Sequence, residues 1–322
     1  MRHVLKMIPA ILLVLLLPNV VEAQLKPRHL EKLTYDERRE KMIIFGGIEL
    51  EQNGFSEPAD IAEWDGKQWT IFNTEGPLGR RGHALVYFQA LNQTLVIGGV
   101  ANTANGDSVM FDTWGWDGKK WKLIDTSCPF KSLGAVYDAA HERILAYGDT
   151  HEKRRPWSAG MPQNFELWEF KSGIWQKLSS TGPVPESVYG ITFNTKTHSL
   201  IILTWENETA VIWEWKENNW KKQTTEKIFP GYRSKYALAY NRAHDAIFLF
   251  GGRDKERNPL NDLWKYHESK WEKIESLETP GKRAGHSLLS IKDQLFLYGG
   301  TLAGGKLSNE LWLWNGTWSQ IK

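Results

Sequence analysis

The sequence predicts an all-β protein, a six-bladed β-propeller with four antiparallel strands in each blade. Three observations predict this fold. A tryptophan recurs six times at intervals of 45 to 54 residues, which is typical of propeller blades. Glycine pairs recur in step with it, and short segments alternate apolar and polar residues with the period of two that β-strands have. The recurring tryptophans are Trp69, Trp121, Trp175, Trp220, Trp271 and Trp318.

Each repeat has the same internal order. The segment "HALVYF" at 83–88 is an alternating first strand, and "TLVIGG" at 94–99 is an apolar second strand that ends in two glycines. A variable loop follows, then a tryptophan-rich third strand, a turn and a short fourth strand. Paired glycines at a strand end suit a tight bend or a close backbone approach. The pairs are Gly46–Gly47, Gly98–Gly99, Gly251–Gly252 and Gly299–Gly300.

We expect one domain over residues 24–322. Every blade can be built from one contiguous segment, so the ring is expected to close by packing of blade six on blade one, without an exchanged strand. The predicted blades span approximately residues 28–79, 80–129, 130–185, 186–232, 233–282 and 283–322.

Residues 1–23 differ from the rest of the chain. A short basic start precedes the apolar run "IPAILLVLLLP", and Val21 and Ala23 occupy the −3 and −1 positions of a cleavage site before Gln24. This is the layout of a secretory signal peptide. An uncleaved membrane anchor is the alternative; no later segment is apolar enough to span a bilayer. We therefore expect a secreted or periplasmic protein with no membrane span after cleavage.

Composition narrows the function classes. The charge is nearly balanced at +2, without the basic excess that nucleic-acid or membrane-surface binding needs. The single cysteine, Cys128, cannot form an internal disulfide. The sequence contains no metal-spaced His/Cys cluster, nucleophile elbow or phosphate loop. We assign no catalytic residue, metal or cofactor, and we expect a monomer.

The glycine pairs, with the pattern D-x-W-x-W-x-G-x-x-W at 112–121, resemble the kelch-repeat family. The resemblance covers residues 28–322 and looks closest to kelch proteins of the secreted bacterial type. It implies a six-bladed propeller but no single function, because kelch propellers include enzymes and binding scaffolds. Our first interpretation is a binding scaffold that recognises a protein or carbohydrate through the loop face, the face with the variable loops.

The resemblance also suggests other roles. A copper oxidase resembling galactose oxidase would need a tyrosine cross-linked to a cysteine, for which Cys128 is the one thiol. An enzyme resembling sialic-acid mutarotase would need a carboxylate and a basic residue beside a sugar. Glu186 with Arg154 or Arg155 has that chemistry, although no family motif residue matches here. Kelch propellers also act as substrate adaptors in cytosolic ubiquitin ligases, and the predicted signal peptide argues against that role.

Four of the six repeats have an arginine before the first strand, and each of these repeats has a carboxylate two residues before its first tryptophan position. A ring of arginines around the axis would bind an anionic ligand. Pairs within each blade would instead neutralise the arginines, and we favour this second interpretation. We interpret His83 and His286, which also recur with the repeat, as structural. The pairs are Arg28 with Asp60, Arg80 with Asp112, Arg233 with Asp262, and Arg283 with Glu310.

The repeat breaks in blades three and four, and we place a candidate ligand site there. Gly148–Asp149 and Thr204–Trp205 replace the paired glycines, and the loop at 150–165 is the longest. Aromatic rings beside arginines can bind a sugar, an acidic metabolite or a peptide. Alternatively, these tryptophans fill a loop and the space left by the missing glycines. The candidate residues are Arg154, Arg155, Trp157, Glu186 and Trp205.

Overall fold

The computed structural model describes residues 25–150, 164–184, 190–224 and 230–321. In these residues six four-stranded antiparallel sheets form a six-bladed β-propeller, as the sequence predicts. The one helical element in the described part of the chain is the 3-10 turn Gln89–Leu91. None of the described segments forms a helix with the length and hydropathy of a membrane span.

Each blade is a meander whose strands follow chain order from the axis outward. Blade one contains Lys32–Asp36, Lys41–Phe45, Ile61–Trp64 and Trp69–Phe72; blade two contains Ala84–Phe88, Gln93–Ile97, Thr113–Trp116 and Trp121–Asp125; blade three contains Ser132–Asp138, Arg143–Asp149, Phe165–Lys171 and Ile174–Ser179. Blade four contains Ile191–Asn194, Ser199–Glu206, Thr209–Lys216 and Asn219–Thr224; blade five contains Ala237–Asn241, Ala246–Arg253, Pro259–His267 and Lys270–Ile274; blade six contains Ser287–Ile291, Gln294–Tyr298, Leu311–Trp314 and Trp318–Ile321.

Shorter strands build the loop face. Two hairpins project from the loops between second and third strands, and two further short strands extend the blade five sheet toward blade six. The hairpins are Glu49–Glu51 with Gly54–Ser56 in blade one, and Val100–Thr103 with Gly106–Val109 in blade two. The extending strands are Arg283–Ala284 and Thr301–Leu302.

The hydrophobic core lies between neighbouring blades. Where blade two packs on blade one, Phe45 meets the edge of Trp121 at 5.5 Å between ring centres, and Trp116 is completely buried. Burying a tryptophan removes about 150–250 Å² from water, worth at most roughly 4–6 kcal/mol. Stability therefore accounts for the tryptophans of segment 112–121.

The ring closes by packing of blade six on blade one, and none of the described strands is exchanged between the sheets of these two blades. Met42 and Ile44 of blade one share a buried cluster with Tyr298 and Leu311 of blade six. The Arg28 backbone N–H donates to the Ser308 carbonyl at 3.2 Å. Because the four main strands of each blade come from one contiguous segment, closure depends on these side-chain and loop contacts.

In blades one, two and six the glycine pair ends the second strand where the next blade approaches, whereas in blade five Gly251–Gly252 lies inside the strand at a shift of register. Gly46 has a φ of 68°, and a Cβ there would lie 2.5 Å from the Arg80 carbonyl oxygen. Gly299 has a φ of 73°, and a Cβ there would lie 2.5 Å from the Glu31 carboxylate. Glycine alone satisfies both the left-handed backbone and the missing space. In blades three and four, which lack the pair, the second strand continues without this bend.

Candidate functional site: the loop face

The recurring arginines are buried ion-pair residues. Arg80 is fully buried, and its guanidinium donates to both oxygens of Asp112 and to the Gly98 carbonyl. Burial alone would raise the pKa of Asp112, but the hydrogen bond and charge of Arg80 outweigh it and hold that pKa below its usual value. The same pairing occurs for Arg28 with Asp60, Arg233 with Asp262, and Arg283 with Glu310. The favoured interpretation, pairs within each blade, is confirmed.

A tryptophan completes each pair in three blades. The indole of Trp114 donates to Asp112 at 2.8 Å, and Trp264 and Trp312 make the same contact in blades five and six. Blade four has Val211 in place of the carboxylate. There the Trp213 indole N–H is buried without a hydrogen-bond partner among the described residues. Arginine, carboxylate and tryptophan thus form one structural unit of the blade.

The residue three positions after the arginine packs against the preceding blade; we call this the inter-blade position. His83 meets Phe45 edge-on at 5.5 Å, and His286 meets Phe250 edge-on at 5.4 Å. Burial lowers the pKa of His286 to about 3 and that of His83 well below its usual value, so both imidazoles are neutral. These histidines have a packing role. Blade one has Glu31 at the same position.

Trp205 lies in the core between blades four and five. Its ring is 9% exposed and meets Tyr236, the inter-blade residue of blade five, edge-on at 4.9 Å. The Tyr236 hydroxyl donates to the Leu203 carbonyl at 3.0 Å. A larger inter-blade residue therefore accompanies the tryptophan that replaces a glycine. So little of the Trp205 ring is exposed that it offers a ligand almost no surface. The other candidate residues, Arg154, Arg155, Trp157 and Glu186, lie outside the described residues.

A basic cluster lies on the loop face where blades five, six and one meet the axis. We define it as His29, Lys235, Arg253 and Arg257. Backbone contacts hold the strand ends together there: Gly285 donates to the Lys235 carbonyl at 2.8 Å, and Arg253 donates to the Ser234 carbonyl at 2.8 Å. Burial lowers the pKa of Lys235, and the charges of Arg253 and Arg257 lower it further. Burial, with Lys235 and Arg253, lowers the pKa of His29 to about 4.

Among the described residues, the cations of the basic cluster are not neutralised by ion pairs. Within the described ranges, none of Lys235, Arg253 and Arg257 forms an ion pair with a carboxylate. The Arg253 Nε is buried without a hydrogen-bond partner there. Lys235 also has a left-handed φ of 52°. Blades two and six have glycine at its position, and a non-glycine residue in this region costs about 1 kcal/mol or more.

Sequence reasoning missed this cluster although a signal was present. Lys235 stands where Gly82 and Gly285 stand in other repeats, and Arg253 follows a glycine pair where Val100 follows another. Each is a break in the repeat of the kind that we sought only in blades three and four. Their convergence became visible only once the ring placed residue 29 beside blade five.

Comparison with known proteins identifies the repeat. A family model described as the KLHDC2/KLHL20/DRC7 Kelch-repeats domain matches residues 204–322, from the second strand of blade four through blade six. The F-box/kelch-repeat protein At1g51550 of Arabidopsis thaliana is 35% identical over 92 residues, which cover 26% of this chain and 19% of that protein. The chain therefore matches about a fifth of that relative's length. The six four-stranded blades extend the same repeat over the other described residues.

The chain is a kelch-repeat protein. The kelch propeller supports a protein-binding scaffold in general. That it is of the secreted bacterial type stays a prediction. Cys128 of this kelch propeller is buried in the core between blades two and three, and burial raises the pKa of its thiol to about 12. A neutral, buried thiol is a poor nucleophile and metal ligand.

Proposed function

We propose that this kelch propeller is a secreted or periplasmic binding protein that docks an acidic segment of a partner protein on its loop face. The observation that carries the proposal is the basic cluster, in which Lys235, Arg253 and Arg257 repel one another without a described carboxylate between them. Like charges held together are costly. Carboxylates from a partner would relieve that repulsion.

A second feature of the loop face supports a protein partner. The blade one hairpin displays Leu50 and Phe55 as cross-strand neighbours, 60% and 46% exposed. Exposed apolar side chains on the same face as a charged site give a protein partner contact area in addition to electrostatic attraction. Both features lie on the loop face, since the hairpin follows a second strand and Arg253 is the last residue of one.

A selection experiment tests this function. Random peptides displayed on phage are selected on the immobilised chain, and the enriched peptides are titrated against variants. We expect peptides rich in Asp and Glu. Lys235→Ser/Arg253→Ser should weaken their binding about tenfold, because two charge contacts of up to about 1 kcal/mol each are lost.

The matched control is Lys119→Ser/Lys120→Ser, which removes two exposed lysines from a turn between third and fourth strands on the opposite face. It should leave binding unchanged. Enrichment of neutral or basic peptides, or equal losses in both variants, would contradict the proposal. The proposed export is tested separately: after expression of the full chain, N-terminal sequencing of the exported protein should begin at Gln24. A chain retained with Met1 would contradict export by cleavage.

A carbohydrate is the second candidate ligand, and one feature favours it. A cavity of about 400 Å³ between blades one and six is lined by Trp64, Trp69, Asn309, Glu310 and Gln320. Indole rings beside amide and carboxylate groups are suited to the apolar faces and hydroxyls of a sugar. Tryptophan fluorescence titrated with neutral and acidic sugars tests it. A saturable change lost in Gln320→Ala would support this candidate, and no change with any sugar would overturn it.

A further inference from the structure

Lys32 departs from the repeat at the innermost position of the blades. Lys32 pairs with Phe45 on the second strand of blade one. In each of the other five blades, the residue at the position equivalent to Lys32 is small. Six strands converge on the axis there, which leaves little room for side chains. The equivalent residues are Ala84, Gly134, Gly190, Ala237 and Ser287.

The central channel contains a cavity of about 130 Å³ at this level. Lys32 lines it together with mostly apolar residues from all six inner strands, such as Leu85, Ile191 and Leu238. His286 also lines it but is neutral, because burial lowers its pKa to about 3. Among the described residues that line the cavity, Lys32 is thus the one with an amine side chain.

The channel changes the chemistry of the amine. Lys32 is partly exposed and lines the channel cavity, and burial lowers the pKa of its amine to about 8. At pH 7 roughly a tenth of such amines are unprotonated, against fewer than about one in a thousand for an ordinary lysine. Lysines desolvated in apolar pockets are the ones that form Schiff bases with carbonyl compounds.

We propose that Lys32 is a covalent capture site for small aldehydes inside the central channel. The neutral Nζ attacks the carbonyl carbon and forms the new C–N bond. The carbinolamine then loses the former carbonyl oxygen as water, with one proton from the nitrogen and one from solvent, to give a protonated imine. Neither oxidant nor reductant is needed. The cavity has the volume of roughly four water molecules, so it admits aldehydes of only a few heavy atoms.

Reductive trapping tests the proposal. The full chain is incubated at pH 7 with acetaldehyde and cyanoborohydride, which converts each imine to N-ethyl-lysine. Peptide mass spectrometry then follows every lysine over time. Lys32 should be modified about tenfold faster than Lys119, which is exposed in a turn and serves as the internal reference. Modification of Lys32 at the rate of Lys119 or slower would overturn the proposal.

Two further measurements establish that the reaction takes place in the channel. Ala84→Leu narrows the channel and retains the amine, so it should slow modification of Lys32 and leave Lys119 unaffected. An unchanged Lys32 rate in that variant would contradict a channel site. If Ala84→Leu does not fold, an aldehyde size series on the wild type gives the same test. Benzaldehyde should then lose the preference for Lys32, and a preference independent of aldehyde size would overturn the proposal.

Discussion

Glu31 makes the stability of the propeller dependent on pH. This carboxyl group is 1% exposed between blades one and six, and neither of its oxygens has a hydrogen-bond partner among the described residues. Burial raises its pKa from 4.5 to about 8, against the opposing charges of Arg28 and Lys32. The folded protein therefore keeps the proton of Glu31 at neutral pH, whereas the unfolded chain releases it.

The sign and size of the effect follow from linkage. A raised pKa in the folded state contributes stability that is complete below about pH 4.5 and is lost as the pH rises to about 8. The shift corresponds to about 5 kcal/mol across this range, of which about 3 kcal/mol is lost by pH 7. Glu31→Gln removes the titrating proton and retains the shape. Its stability relative to wild type should therefore rise by roughly 3–4 kcal/mol between pH 5 and pH 8.

Urea unfolding followed by tryptophan fluorescence at pH 5, 6, 7 and 8 measures this difference. Glu75→Gln, a substitution of an exposed glutamate, is the control and should follow the wild type at every pH. The burial of Lys32 acts in the opposite direction above pH 8, so the comparison ends there. Parallel stability curves for wild type and Glu31→Gln would contradict a raised pKa of Glu31 in the folded protein.

Three further predictions concern the scaffold. Arg80→Met leaves the half-buried Asp112 carboxylate without its arginine and should lower the free energy of unfolding in urea by about 3–5 kcal/mol. Lys222→Met, which breaks the exposed pair of Lys222 with Glu206, is the comparison and should lower it by less than about 1 kcal/mol. Equal losses would be inconsistent with a buried pair. Tyr236→Phe leaves the Leu203 carbonyl without its donor, so unfolding free energy should fall by about 1–2 kcal/mol, and an unchanged midpoint would show that this bond does not stabilise the junction. Residue 46 has a left-handed backbone, and the methyl group of Gly46→Ala would press against the Arg80 carbonyl and the His83 ring. Circular dichroism should therefore show a melting temperature lowered by several degrees. A wild-type melting temperature would contradict the close approach of blade two.

The repeated features could be predicted from sequence, because one physical cause acts at every copy. An arginine and a carboxylate recur together at the positions of Arg80 and Asp112 in four blades, so the repeat alone predicted that they pair. The packing of Trp205 against Tyr236 did not, because it depends on two compensating breaks in neighbouring blades. The basic cluster escaped prediction for a related reason: Arg253 and His29 are 224 positions apart and meet only because the ring closes. Periodicity identifies scaffold, whereas juxtaposition across blades requires the three-dimensional structure.

The most direct test of docking at the basic cluster is to locate the natural partner on the protein surface. A photo-crosslinking amino acid replaces Glu256, which is exposed beside Arg257, and in a second protein it replaces Lys119 on the opposite face. Both proteins are irradiated in the cells that produce the chain. Docking at the basic cluster predicts a crosslinked partner protein from position 256 and none from position 119. The crosslink should be lost when Lys235→Ser/Arg253→Ser is added. A partner captured from position 119 alone, or a crosslink at position 256 that survives removal of the two charges, would contradict it.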